Sequence, residues 1–143
     1  FIVAPDRQLT AIDISSGKNL WRTGKYQVRE TIGISEDKKS IYVRTFNDSI
    51  ISIPAVGSLK EPNWIADCKF GYDISSAQIV EKDGVIFYAT KNGMIYSLNP
   101  QTGKINWQYK VSNVFVNTIT AISNKKIVVT DFNGTISFIE DSN

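Results

Sequence analysis

The sequence predicts an all-β fold, a partial β-propeller of four-stranded antiparallel blades. Three observations carry this. The stretch Ala11-Ile12-Asp13-Ile14-Ser15-Ser16-Gly17-Lys18-Asn19-Leu20-Trp21 reads strand, tight turn, strand, and it returns as Ser97-Leu98-Asn99-Pro100-Gln101-Thr102-Gly103-Lys104-Ile105-Asn106-Trp107. The tryptophans, Trp21, Trp64 and Trp107, stand 43 residues apart. Short apolar runs broken by turn residues fill each interval, and no stretch keeps a helical period over ten or more residues. A repeat of about 40–45 residues built from short strands is the sequence sign of propeller blades.

The elements follow in order. Phe1 to Ala4, Leu9 to Ile14 and Lys18 to Arg22 read as three strands. Gly17 in the second connection suits the positive φ of a tight turn. In the next unit, Thr31 to Ile34, Ser40 to Thr45 and Ile50 to Ile53 are β-branched or aromatic runs. Glu36-Asp37-Lys38-Lys39 reads as a solvated turn. A looser connection, Pro54 to Pro62, leads to the strand around Trp64. The third unit has strands at Ser76 to Val80, Val85 to Ala89, Met94 to Leu98 and Lys104 to Lys110, with Lys82-Asp83-Gly84 and Asn92-Gly93 as turns. The fourth has Val116 to Ile122, Lys126 to Thr130 and Thr135 to Ile139, with an Asn133-Gly134 turn. About 14 strands result, three to four blades in a single unit spanning 1–143: 1–26 (partial), 27–70, 71–111 and 112–143 (partial). Because the chain opens directly on a strand without an initiator Met or signal peptide, it is expected to be a piece of a longer protein.

Composition narrows function by exclusion. The net charge is +2 from 16 basic and 14 acidic side chains, which offers nucleic acid or an anionic membrane no field. No apolar run approaches the ~20 residues of a membrane span. Without histidine, Ser-His-Asp chemistry and His-based zinc sites are absent from these residues. Cys68 is the single cysteine, flanked by Asp67 and Lys69, where a neighbouring ammonium would favour thiolate; with no His partner it is not read as catalytic. Asn47-Asp48-Ser49 and Asn133-Gly134-Thr135 match the N-glycosylation pattern, but both fall at hairpin positions that turn chemistry explains. No catalytic, metal or cofactor residues are assigned.

The motif A-x-D-x-x-[ST]-G-x-x-x-W resembles the tryptophan-docking motif of pyrroloquinoline-quinone (PQQ)-like β-propeller repeats. It is complete at Ala11 to Trp21, partial at Ser97 to Trp107 and mostly lost around Trp64. The resemblance implies structural, blade-docking roles for Ala11, Asp13, Gly17, Trp21, Trp64, Ser97, Asn99, Gly103 and Trp107. It implies one of three activities. A quinoprotein oxidoreductase would need a carboxylate base and calcium. An assembly lipoprotein of the outer membrane uses such repeats only to bind partners. An appended propeller serves a larger enzyme: Arg29 to Ser35 and Asn113 to Thr118 look like the C-terminal propeller of Bacteroidetes calcineurin-like metallophosphoesterase proteins. A non-catalytic, extracytoplasmic protein-interaction module of a larger bacterial protein is the expected function, with an unspecified protein partner.

Tyr26, Phe70, Tyr72 and Phe115 fall in the connections between blades, on the face shared with the Asn-Gly-type turns. They are expected either to pack between blades or to contact a partner. Terminal blades short of strands would expose edges. Two copies are therefore expected to pair into a closed propeller; the rivals are a monomeric arc and a closure in which the first strands complete the last blade.

Overall fold

The computed structural model describes residues 1–46, 49–57, 61–69 and 77–142. Among them there are fourteen β-strands in four antiparallel sheets. The first sheet is β1 (Ile2–Val3), β2 (Leu9–Ile12) and β3 (Asn19–Thr23); the second is β4 (Val28–Ile34), β5 (Ser40–Thr45), β6 (Ser49–Pro54) and β7 (Trp64–Asp67). The third is β8 (Val80–Lys82), β9 (Val85–Ala89), β10 (Met94–Leu98) and β11 (Ile105–Lys110); the fourth is β12 (Val116–Ala121), β13 (Lys126–Asp131) and β14 (Ile136–Glu140). Within each sheet the strands lie in chain order, which is a propeller blade meander. The first strands β4, β8 and β12 neighbour one another, so they form the inner rim of the arc. β1 pairs β2 in its own sheet, so the first strands do not complete the last one.

Some expectations on local structure change. The second sheet begins at Val28, ahead of Thr31. The third begins only at Val80, the last residue of the expected Ser76 to Val80 run, and Lys82 belongs to the strand. The β8–β9 turn is then only Asp83-Gly84, both at positive φ (47° and 75°), which closes a two-residue hairpin. Ser76 and the Asn47-Asp48 turn lie outside the described residues.

The repeat register is closely kept. Val3↔Leu9, Arg44↔Ile50, Ala89↔Ile95 and Thr130↔Ile136 are the equivalent hairpin pairs of the four sheets. Side chains alternate faces along a strand, so each blade has one face toward the preceding blade and one toward the next. Three apolar clusters fill the three seams. Leu9, Val28, Ile41, Val43, Ile51 and Ile53 close the first. Tyr42, Ile50, Trp64, Ile86, Tyr88 and Leu98 close the second. Phe87, Ile95, Ile119, Ile127 and Val129 close the third. At the inner rim the strands converge so tightly that a Cβ on Gly33 would run into the Ile79 carbonyl.

The second seam also carries polar ties. The Tyr42 hydroxyl donates to Glu81, Arg44 Nη2 donates to the Ala89 carbonyl at 2.7 Å, and Lys82 Nζ meets Glu36 at 3.1 Å. Cys68 lies in this seam, buried. Burial pushes its thiol above the ordinary value, overriding the thiolate bias read from its sequence neighbours. Cys68 should therefore resist a thiol reagent at pH 8 in the folded protein and react at the rate of a free thiol once denaturant is added; equal rates would contradict this seam.

Candidate functional site

Two features concentrate side chains of unusual placement: the outer-strand tryptophans, and one loop face.

The two motif turns share the same cap, with one further N–H bond at Asn99. Asp13 Oδ1 accepts from the Ser16 N–H at 2.7 Å and the Ser16 hydroxyl at 2.8 Å. Asn99 Oδ1 accepts from the Gln101 and Thr102 N–H groups at 2.9 and 3.0 Å and from the Thr102 hydroxyl at 3.1 Å. Gly17 and Gly103, at φ 69° and 70°, each donate 2.8 Å backbone bonds to the residue four before. A short polar side chain that satisfies the turn's own N–H groups pre-forms it. The Ser16 N–H first, then its hydroxyl, hold the Asp13 carboxyl below the usual carboxylate range.

The tryptophans are placed differently from one another. Trp64 is 9% exposed; its Nε1 donates to the Pro100 carbonyl at 2.7 Å and its ring lies flat on Gly103 of the following blade, where a Cβ would strike it. Trp21 and Trp107 are half-buried. The motif is thus split across a seam, with the ring of one blade seated on the turn of the next. Trp64 sits in the degenerate copy yet meets the intact Asn99–Gly103 turn. Trp21 packs against the first seam, in the same cluster as Ala55. Trp107 lines an open groove of about 480 Å³ with Tyr109, Phe138, Glu140 and Asp141.

Sequence reading missed a second repeated ring. Phe1 meets Trp21 at 5.7 Å between centroids, Tyr42 meets Trp64 at 5.9 Å, and Phe87 meets Trp107 at 5.9 Å. Each pair spans a middle strand, over Ala11, Ser52 or Ser97. The small residue is what lets two rings from flanking strands touch, a contact that adds to their burial. In the fourth sheet the corresponding positions are Val128 and Phe138, so no such gap exists.

The loop face gathers the connections between sheets and the middle hairpins. Phe46 N–H donates to the Gln27 carbonyl, Val111 and Ser112 N–H to Gly93, and Phe132 N–H to Phe115. Phe132 is 64% exposed and its ring leans on Phe115 at 5.4 Å. Phe46 is held between the guanidinium groups of Arg7 (4.1 Å) and Arg29 (3.5 Å). Lys25 lies over the Tyr26 ring at 5.4 Å and pairs with Glu61 at 2.9 Å. Of the residues singled out by sequence, Tyr26 and Phe115 are on this face, Tyr26 also packing against the first seam. Phe70 and Tyr72 lie outside the described residues. Phe46 and Phe132 were hidden inside hairpins that read as turn chemistry. Beneath the face, the Ser112 hydroxyl donates to Asp131 at 2.7 Å and, with the Thr135 and Asn133 N–H groups, holds that carboxyl below its usual range.

Among the described residues no three His, Cys, Asp or Glu side chains converge as a metal-holding group. No helix among them is long and apolar enough to cross a membrane.

The family model described as outer membrane protein assembly factor BamB, a PQQ-type repeat model, matches residues 5–143. The chain belongs to this family. Solved structures agree on the fold. BamB from Moraxella catarrhalis superposes with a TM-score of 0.72 at 16% identity over 98% of this chain and 45% of its own. The β-propeller domain of Cps50 (Swd1) from Myceliophteria thermophila gives 0.77 at 10% identity, over 96% and 46%. The computationally designed protein Ika4 gives 0.77 at 12%, over 96% and 81%. The chain therefore spans a little under half of the length of the Moraxella catarrhalis BamB chain. No protein of curated function matches it.

Proposed function

We propose that this chain is a non-catalytic protein-interaction module of a larger bacterial protein, working outside the cytoplasm. Family membership across residues 5–143 carries the reading, since the family description is of an assembly factor. Its contact surface is the loop face. Phe132 and Phe115, Tyr26 and Phe46 with the exposed Arg7 over its ring are side chains of the kind that dominate protein interfaces, while the buried Arg29 supports Phe46 from within. Their backbone is tied to neighbouring hairpins, so little ordering cost remains on binding.

The test is site-specific photo-crosslinking in bacterial cells. A crosslinker at position 132 should give discrete protein adducts, and one at Ile105 on the outer strand β11 should not. Adducts only from Ile105 would move the contact surface elsewhere. Tight, calcium-dependent binding of PQQ by the purified chain would overturn the reading in favour of a quinoprotein.

A further inference from the structure

The chain contains two Asn-Gly dipeptides, Asn92-Gly93 and Asn133-Gly134, and they close the same hairpin in consecutive sheets. Gly93 N–H donates to the Thr90 carbonyl and Gly134 N–H to the Asp131 carbonyl, each at 3.1 Å. Thr90 N–H donates to the Met94 carbonyl at 2.9 Å and Asp131 N–H to that of Thr135 at 3.1 Å, so the two turns carry the same backbone bonds. Their glycines share a left-handed φ, 73° and 80°. The surroundings differ. Asn92-Gly93 is pinned from outside its hairpin: Lys110 Nζ donates to the Asn92 carbonyl at 2.6 Å, and the carbonyl of the buried Gly93 accepts from Val111 and Ser112 N–H at 2.9 and 3.3 Å. The Ser112 carbonyl also stands where a Gly93 Cβ would be. Asn133 and Gly134 are both exposed, and no heavy atom lies within 4 Å of a Cβ placed on Gly134. Their ties run only to Asp131 of the same turn, from Gly134 N–H to its carbonyl and from Asn133 N–H to its Oδ1 at 2.9 Å.

We propose that Asn133 is a site of spontaneous covalent modification, deamidation through a cyclic imide with water as co-reactant, and that the fold shields Asn92 from the same reaction. The Gly134 amide nitrogen, once it has lost its proton, attacks Asn133 Cγ. A C–N bond forms, and the side-chain nitrogen leaves as ammonia, carrying away a proton. Water then opens the imide at either carbonyl and leaves aspartate or isoaspartate; no atom changes oxidation state. Glycine is the favoured attacker because no side chain stands beside its nitrogen. Ring closure needs the 133–134 peptide to swing out of the turn, which breaks the Gly134 N–H bond to Asp131 and meets no neighbour. At Asn92 the same swing must also break the Lys110, Val111 and Ser112 bonds and move Gly93 against the Ser112 backbone, so it waits on local opening of that connection. The product changes the hairpin. It sets a new carboxylate next to Phe132 and close in the chain to Asp131, and isoaspartate also lengthens the main chain inside a turn that holds Thr130 opposite Ile136. The inference concerns the hairpin itself and holds whatever the loop face binds.

Peptide mapping by mass spectrometry, on the folded chain held in mildly alkaline buffer, tests it. The peptide carrying Asn133 should gain aspartate and isoaspartate at least about tenfold faster than the one carrying Asn92. The rate at Asn133 should rise with pH, because the Gly134 N–H must ionise before it attacks. In denaturant the two rates should converge, since both sites are then plain Asn-Gly. Lys110→Met should speed the reaction at Asn92 and leave Asn133 unchanged. Gly134→Ala should slow it at Asn133, with circular dichroism showing the strand signal kept. Equal rates at the two sites in the folded chain overturn the proposal. So does an Asn133 that stays intact where the denatured chain reacts, or a difference between the sites that persists in denaturant.

Discussion

Replacing Trp64 by alanine should lower stability by about 3–5 kcal/mol, the usual cost of deleting a large buried ring. Trp21→Ala and Trp107→Ala should cost less, about 1–3 kcal/mol, because those rings are half-buried and recover less area from water. The order is the opposite of what motif quality suggests. Trp64 belongs to the copy that has lost the motif, but its ring is stacked on Tyr42, capped by Gly103 and bonded to the Pro100 carbonyl. Removing it leaves that carbonyl unpaired and opens the seam that also holds Ile50, Ile86 and Leu98. Denaturant titration of the three variants measures the order. A Trp64 loss no greater than that of Trp21 would refute the split seating of ring and turn.

The second large effect is expected at a glycine. Gly93 and Gly134 occupy the same hairpin position, at φ 73° and 80°. An alanine at either incurs the left-handed penalty of about 1–2 kcal/mol. At Gly134 nothing else is near. At Gly93 the new Cβ would also run into the Ser112 backbone carbonyl, and the Gly93 carbonyl accepts from both Val111 and Ser112. Gly93→Ala should therefore cost about 1–3 kcal/mol more than Gly134→Ala, as overpacking against a fixed group does. Backbone cannot swing aside as a side chain can. Thermal melts of the pair give the comparison directly, and equal losses would show that the connection yields.

Much of the fold was legible because it is local. Strand period, β-branched runs and Asn-Gly turns depend on residues a few positions apart, and the spacing of Trp21, Trp64 and Trp107 displays the repeat without any knowledge of contacts. Asp13 and Asn99 cap turns that lie within four residues of them. The strand starts that were misplaced, at β4 and β8, are those of the inner rim. There convergence of neighbouring blades, seen at Gly33 and Ile79, sets the strand limits more than propensity does.

By itself, the sequence determined an all-β repeat of short strands and its hairpin turns at Gly17, Gly93 and Gly134. Only the tertiary structure decided which tryptophan is seated, which rings pair across a small residue, and which aromatics reach the loop face. Each of those is a contact between residues of different strands or different blades. Phe1, Tyr42 and Phe87 become a repeat only when the middle strand is seen to carry Ala11, Ser52 and Ser97 beneath them. Trp64 becomes the strongest anchor only when the next blade is placed against it. Burial of a ring depends on what is opposite, and in a propeller what is opposite is always one blade away.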